Sequence, residues 1–254
     1  MVSNFGTTYQ RASRYVVPVL SCAGLFWVGQ LCHSAEAAEV TGTVRLKGEI
    51  PPPEEVRIEP KSGVHSTEGC GSLEKASQKL LVDPSGGVRN AVVWLELPGS
   101  GQTQEREAPA LLDQRECTFL PHVVTVKAGG ELAIRNSDPV LHNLRIFAEG
   151  KPAMLMHRWQ KVDAPEVRWP FAEPGRYVVR CGVHPWMYAW AVVLPAGRSA
   201  VTGPDGRFSL AGVPDGRHEL RVWHETLGEQ RVAVEVKGGA VELDPVLFEQ
   251  AGGE

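Results

Sequence analysis

One short stretch of the chain concentrates three side chains able to bind a soft metal. It reads Cys181-Gly182-Val183-His184-Pro185-Trp186-Met187. A thiol, an imidazole and a thioether so close together can face one point if the stretch folds as a tight loop between two strands. Soft sulfur with imidazole selects copper among the common metals, and a His2Cys plane with a weak axial Met marks a blue-copper centre. Such a centre needs a second histidine. His142, in Asp138-Pro139-Val140-Leu141-His142-Asn143, follows one strand signal and precedes another, so a β-sandwich can bring it beside the loop. Asn143 is placed to hydrogen-bond across to the cysteine loop and fix ligand orientation. Zinc is disfavoured, because neither a Cys-x2-Cys pair nor a further cysteine is placed to complete a tetrahedral set. The competing reading is a buried free cysteine beside an incidental histidine and a core methionine.

Other candidates carry weaker signals. Met154, Met156 and His157 suggest a second, weak copper site on a loop, although methionine more often fills irregular packing. His122 reads as a strand-end histidine satisfied by backbone. His224, in Trp223-His224-Glu225, belongs to the C-terminal strands, where it could line an interdomain face near the copper. His65 and His218 have no neighbours to argue from. Asp205 and Asp215 each precede glycine and read as hairpin turns rather than calcium ligands.

The elements that must hold these residues are strands. The chain has 254 residues, 43% of them hydrophobic, with 27 Gly, 19 Pro and 7% aromatics, which favours turns over long helices. Strand signals cover 40–46, 91–97, 123–127, 131–135, 144–147, 168–171, 176–180 and 187–194. Residues 80–83 and 91–97, around the Gly86-Gly87 turn, read as a hairpin. Residues 71–79 could form one or two helical turns, and polar 98–116 reads as a surface loop. After residue 196, Asp205-Gly206 and Asp215-Gly216 punctuate short strands that suggest a small second sandwich.

Arg11 and Arg14 are followed by an uncharged, apolar 15–31 and then Ala35-Glu36-Ala37. A basic start, an apolar run and a small-residue site fit an export signal at 1–37, cleaved after Ala37. An uncleaved anchor and a lipoprotein site at Cys22 are the alternatives. The mature chain then has no membrane span and keeps Cys70, Cys117 and Cys181. Export to the periplasm or beyond favours a disulfide between Cys70 and Cys117. The formal net charge of −4, with no basic block, argues against a nucleic-acid partner.

The cysteine loop resembles the copper-ligand loop of the amicyanins, a cupredoxin family, which also has Cys-x2-His-Pro, an aromatic residue and Met. His142-Asn143 resembles the His-Asn pair of amicyanins and plastocyanins. Phe119-Leu120-Pro121, with Val124-x-Val126-x-x-Gly129-Gly130 behind it, is similar to their Phe-x-Pro strand. The resemblance covers about 118–195 and implies a cupredoxin fold with His142, Cys181, His184 and Met187 as ligands. It departs from the family in the Ser-Asp-Pro-Val-Leu approach to His142. Residues 205–228 resemble the carboxypeptidase regulatory-like, or transthyretin-like, β-sandwich. The whole layout resembles exported bacterial methylamine-utilisation-type proteins.

The expected fold is therefore all-β: a cupredoxin-like Greek-key sandwich plus a transthyretin-like sandwich. The expected division is signal 1–37, a β segment at 38–116, a copper domain at 117–195 and a regulatory-like sandwich at 196–254. An open alternative has 40–100 and 196–248 forming one sandwich interrupted by the copper domain. The expected function is a non-enzymatic, one-copper electron carrier with a transient redox partner. His184, followed by Pro185 and Trp186, is expected to offer its ring edge as the electron port within an apolar patch. The histidines lack the His-x-His spacing of multicopper oxidases. The alternatives are a copper chaperone or storage module, and a non-redox binding module.

Overall fold

The computed structural model describes residues 38–97 and 108–249, so the expected export signal lies outside the described residues. In chain order the strands are β1 (Ala38–Lys47), β2 (Glu55–Arg57), β3 (Glu74–Ala76) and β4 (Val92–Glu96). Then come β5 (Ala110–Arg115), β6 (Thr118–Leu120), β7 (Val123–Lys127), β8 (Glu131–Asn136), β9 (His142–Ala148), β10 (Met154–Gln160), β11 (Val167–Pro170), β12 (Gly175–Cys181) and β13 (Tyr188–Leu194). Last are β14 (Gly197–Val201), β15 (Arg207–Val213), β16 (Gly216–His224), β17 (Gly228–Val236), β18 (Val241–Glu242) and β19 (Val246–Glu249). The described fold is all-β apart from a single 3-10 turn at Gly63–His65.

The middle of the chain builds one sandwich. Its sheets are β10-β9-β12-β13-β7 and β11-β8-β5-β6. The pairs β13/β7 and β5/β8 run parallel, so crossovers are required and a simple meander is excluded. Leu112, Phe119, Leu132, Ile134, Leu144, Ile146 and Val179 fill the space between the sheets. Cys181 and Met187 belong to this same core.

The two ends of the chain meet in a second set of sheets. β1 pairs with β15, β18 and β19, and β4 lies between β14 and β16. Val40, Val44, Val93, Leu95, Leu210, Leu220, Val234 and Phe248 form the core they share. The run Ala91-Val92-Val93-Trp94-Leu95 is apolar on both faces for a reason. Val93 and Leu95 enter this core, while Val92 and Trp94 face a third cluster with Val123, Val192, Leu194 and Trp223. Strands buried on both sides read as continuous hydrophobic runs. The third cluster joins the β4/β16 sheet to the β7/β13 end of the five-stranded sheet.

Several local expectations are corrected. Residues 98–116 are not all loop, because Ala110–Arg115 is a strand between β8 and β6. Its polar composition hid it. Asp113 and Gln114 are buried and hydrogen-bonded: Asp113 accepts from Ser137 and Arg115, and Gln114 donates through Nε2 to the Arg135 carbonyl and to Gln160. A boundary at 117 thus falls between two paired strands. The expected 80–83/91–97 hairpin does not form. Asp83 closes a tight turn through the Ser85 and Gly87 amides, Val82 bridges Val88, and β4 pairs elsewhere. Within 71–79 the chain is extended at β3, paired with β2. Met154, Met156 and His157 lie on edge strand β10 rather than on a loop.

Candidate metal centre

Two of the proposed ligands come from strand ends, and His184 and Met187 from the loop that follows β12. β12 ends at Cys181, β9 begins at His142, and the two strands pair antiparallel with Cys181 opposite Leu144. The chain between Cys181 and Met187 is closed on itself. The Cys181 amide donates to the Met187 carbonyl at 3.1 Å, and the Met187 amide donates to that of His184 at 2.9 Å. The Gly182 amide donates to the Asn143 carbonyl at 2.8 Å, tying the loop to β9. Gly182 has to lack a side chain, since a Cβ there would fall 2.4 Å from Asn143 Oδ1 and 2.5 Å from Arg145 Cζ.

This framework aims three donors at one point. Cys181 Sγ lies 3.7 Å from His142 Nδ1 and 3.8 Å from His184 Nδ1, and the two Nδ1 atoms are 3.1 Å apart. A trigonal set around an ion, with metal–nitrogen and metal–sulfur bonds of about 2.0 and 2.3 Å, spaces its donors about 3.5–3.7 Å apart. The residues fit such an ion. Met187 is buried in the same core and returns its carbonyl to Cys181.

The far side of each imidazole is held by oxygen. His142 Nε2 donates to Asp138 Oδ2 at 2.8 Å, and His184 Nε2 donates to the Ser66 carbonyl at 3.1 Å. An Nε2–H donor leaves the Nδ1 lone pair free, so both rings present lone pairs to the shared point. Two lone pairs this close repel unless a cation or proton lies between them. The sulfur is held in its anionic form as well. In the metal-free site, with a proton in the ion's place between the rings, burial raises the Cys181 pKa, but hydrogen bonding to His142 and His184 and to the Asn143 and His184 amides outweighs it, and the pKa falls from 9.0 to about 5. Burial lowers the His142 pKa, but the bonds to Asp138 and Cys181 outweigh it and the net direction is upward.

The surroundings differ from the sequence reading. His184 is 1% exposed, so it offers no ring edge to solvent. Residues 61–70 run over it as a strap. The Ser66 carbonyl accepts from its Nε2–H, and His65 Nδ1 donates to the Val183 carbonyl at 3.1 Å. The strap is bonded to the sandwich that holds these residues by the Cys70–Cys117 disulfide. Trp186 Nε1 donates to the Cys117 carbonyl at 3.1 Å, with its ring 5.1 Å from that of His184, while Pro185 is exposed. Asn143 reaches the cysteine loop through its backbone, whose amide donates to Sγ at 3.5 Å. Its side chain turns outward, donating through Nδ2 to His157 Nε2 at 2.6 Å and accepting from Arg145.

The sequence alone gives Asp138 and Ser66 no role and His65 no partner. Asp138 had one local signal, a carboxylate four residues before His142 in an Asn-x-Asp-Pro turn. Ser66 and His65 had none.

The remaining histidines have other partners. His122 pairs with the Glu225 carboxylate and not with backbone; the same carboxylate accepts from Trp190 Nε1 at 2.8 Å. His224 is buried beside them, its pKa lowered to about 4 chiefly by burial, so it stays neutral. Among the described residues, His157 falls in no cluster of three potential ligands. Met154 is solvent-exposed and Met156 is packed in the core.

No family model matches the chain, and no curated protein matches it. Parts of it are similar to solved copper proteins. Amicyanin from Paracoccus versutus is 19% identical, over 46% of this chain and 98% of that one, with a TM-score of 0.30. A purple cupredoxin from Nitrosopumilus maritimus is 22% identical, over 34% and 99%, with a TM-score of 0.29. The copper-containing nitrite reductase from Thermus scotoductus SA-01 is 21% identical over 34% of this chain, with a TM-score of 0.31, and the match spans only 22% of the reductase.

Proposed function

We propose that the protein binds one copper ion through His142, Cys181 and His184, with Met187 as a fourth, weak ligand, and carries single electrons between redox partners. The observation that carries this reading is the convergence of two Nδ1 atoms and one thiolate at 3.1–3.8 Å, with both Nε2 atoms already committed to oxygen acceptors. Copper bound there supplies a reversible one-electron couple. The chain supplies rigidity. Backbone hydrogen bonds fix the loop, Asp138 and Ser66 fix the ring orientations, and the core excludes water.

Burial favours electron transfer over metal delivery. A chaperone or store must hand its ion to a partner, which requires ligands that a partner can reach. Here the four side chains are almost wholly enclosed. Export through residues 1–37, a periplasmic or secreted location and a transient, non-covalent redox partner complete the proposal. Among the described residues no helix is long and apolar enough to cross a membrane.

The test is reconstitution of residues 38–254 with Cu(II). One equivalent should bind and give a reversible one-electron couple. Met187→Leu should shift the potential while retaining the ion. Binding of zinc alone, or of copper without a reversible couple, contradicts the reading.

A further inference from the structure

The strap closes the His184 side of the site, so an electron needs another way in. We infer that the exposed half of the five-stranded sheet, on β10, β9 and β12, is the docking and electron-exchange face, and that its partner is an acidic one-electron redox protein. The inference rests on the copper reading above.

The outer face of this sheet is divided. Its β13/β7 end is covered by the third hydrophobic cluster, through Val123, Val192, Trp190 and Trp223. Its β10/β9 end is open. There Leu155 is 44% exposed and Trp159 53% exposed, with His157 between them on the same face of an edge strand. The His157 and Trp159 rings are 6.1 Å apart. Exposed tryptophan is a common anchor in protein interfaces.

This face is joined to the sulfur by a short bonded route. His157 Nε2 accepts from Asn143 Nδ2, and the Asn143 amide donates to Cys181 Sγ. One residue thus separates an exposed imidazole from the thiolate. Arg145 reinforces the link, donating to Asn143 Oδ1 at 2.8 Å while lying against Gly182.

The charge on this face points to the partner. Arg145, Arg176 and Arg180 stand on the outer face of β9 and β12, and Arg158, whose register partner is the core residue Leu144, is exposed at the open edge of β10; the three strands carry no acidic residue, in a chain whose net charge is −4. Arg176 is engaged by Glu149 and Glu229. Arg145, Arg158 and Arg180 have no carboxylate within ion-pair distance among the described residues. Unpaired cations around exposed aromatic and apolar side chains suit brief docking of an anionic surface, and such charge sets the encounter rate. A reduced partner gives up one electron at this face and Cys181-bound copper(II) becomes copper(I); no proton or group is transferred.

The test has two arms. In the first, metal-free protein is titrated with hexacyanochromate(III), a paramagnetic polyanion, and amide line broadening is mapped by NMR. Broadening should centre on Arg145, His157, Trp159 and Arg180 and disappear in the Arg158→Glu/Arg180→Glu double variant. Broadening centred on Ser66 or on the β16/β17 sheet overturns the inference. In the second arm, copper-loaded, reduced protein is oxidised by ferricyanide, which takes one electron. The double variant should react about tenfold more slowly, and more rapidly with the cation tris(phenanthroline)cobalt(III), with its visible spectrum unchanged. Equal rates for the wild type and the double variant sink the docking face. Failure of the copper reading looks different: no charge-transfer band forms, while the first arm still reports on the surface alone.

Discussion

The Ser66 carbonyl lies 3.1 Å from Nε2 of His184, although 118 residues separate them in sequence. That contact closes over the ligand that the sequence alone leaves facing solvent, and the Cys70–Cys117 disulfide anchors the segment that makes it.

Removing the anchor should loosen the strap and spare the ligands. The double variant Cys70→Ser/Cys117→Ser is expected to lose about 2–4 kcal/mol of stability in urea unfolding. Its copper-loaded form should keep its visible spectrum, while electron self-exchange, read from NMR line widths, should accelerate as His184 becomes reachable. Unchanged self-exchange would mean that the strap does not limit access.

Asp138 accepts from His142 Nε2 and from the Cys117 amide at 2.8 and 2.9 Å. Asp138→Ala frees the His142 ring to rotate and to choose the other tautomer. Copper affinity, measured by competition with a chelator, should fall about 10–100-fold, as for other outer-shell partners of metal-bound histidine. An unchanged affinity would show that the ring is held by packing alone.

The site can be read from the sequence only where it is local. Cys181, His184 and Met187 share one loop, so spacing alone suggests their chemistry, and His142 sits at a recognisable strand end. The strap cannot be read in the same way. Residues 61–70 are polar and aperiodic, and their partners are more than a hundred positions away. Strand β5 escaped because Asp113 and Gln114 look like loop residues until their hydrogen bonds are seen. The pairing of β1 with β15 belongs to the layout in which 40–100 and 196–248 share one sandwich, which the sequence leaves open beside a separate N-terminal segment. Two alternating strands show that each has a buried face, but alternation carries no information about which strand lies beside which.

Acidity should act through the thiolate. The folded-state pKa of Cys181 is depressed, so its contribution favours the native state fully above pH 9.0 and is lost as pH falls through about 5. The raised pKa of His142 acts in the opposite sense, with stabilisation present at low pH and lost as pH rises past its folded value. Ultraviolet thiolate absorbance of metal-free protein should titrate near pH 5 in the wild type and be absent in Cys181→Ser. A midpoint near 9 would contradict the hydrogen-bonded geometry.

The junction between the two sandwiches should be stabilising and electronically silent. Trp223 is buried against Trp190, with ring centroids 5.2 Å apart, and beneath Arg176. Trp223→Ala should cost about 3–5 kcal/mol, read as a lower urea midpoint, with the copper spectrum unaltered. A changed spectrum would show that the second sandwich shapes the metal site directly.

The most direct measurement is the joint optical and EPR spectrum of copper-loaded residues 38–254, wild type against Cys181→Ser. A thiolate-bound ion predicts an intense visible sulfur-to-copper band and a narrow copper hyperfine splitting, both abolished by the substitution. A weak d–d band with ordinary hyperfine splitting, identical in the two proteins, would place the copper away from Cys181 and contradict the account.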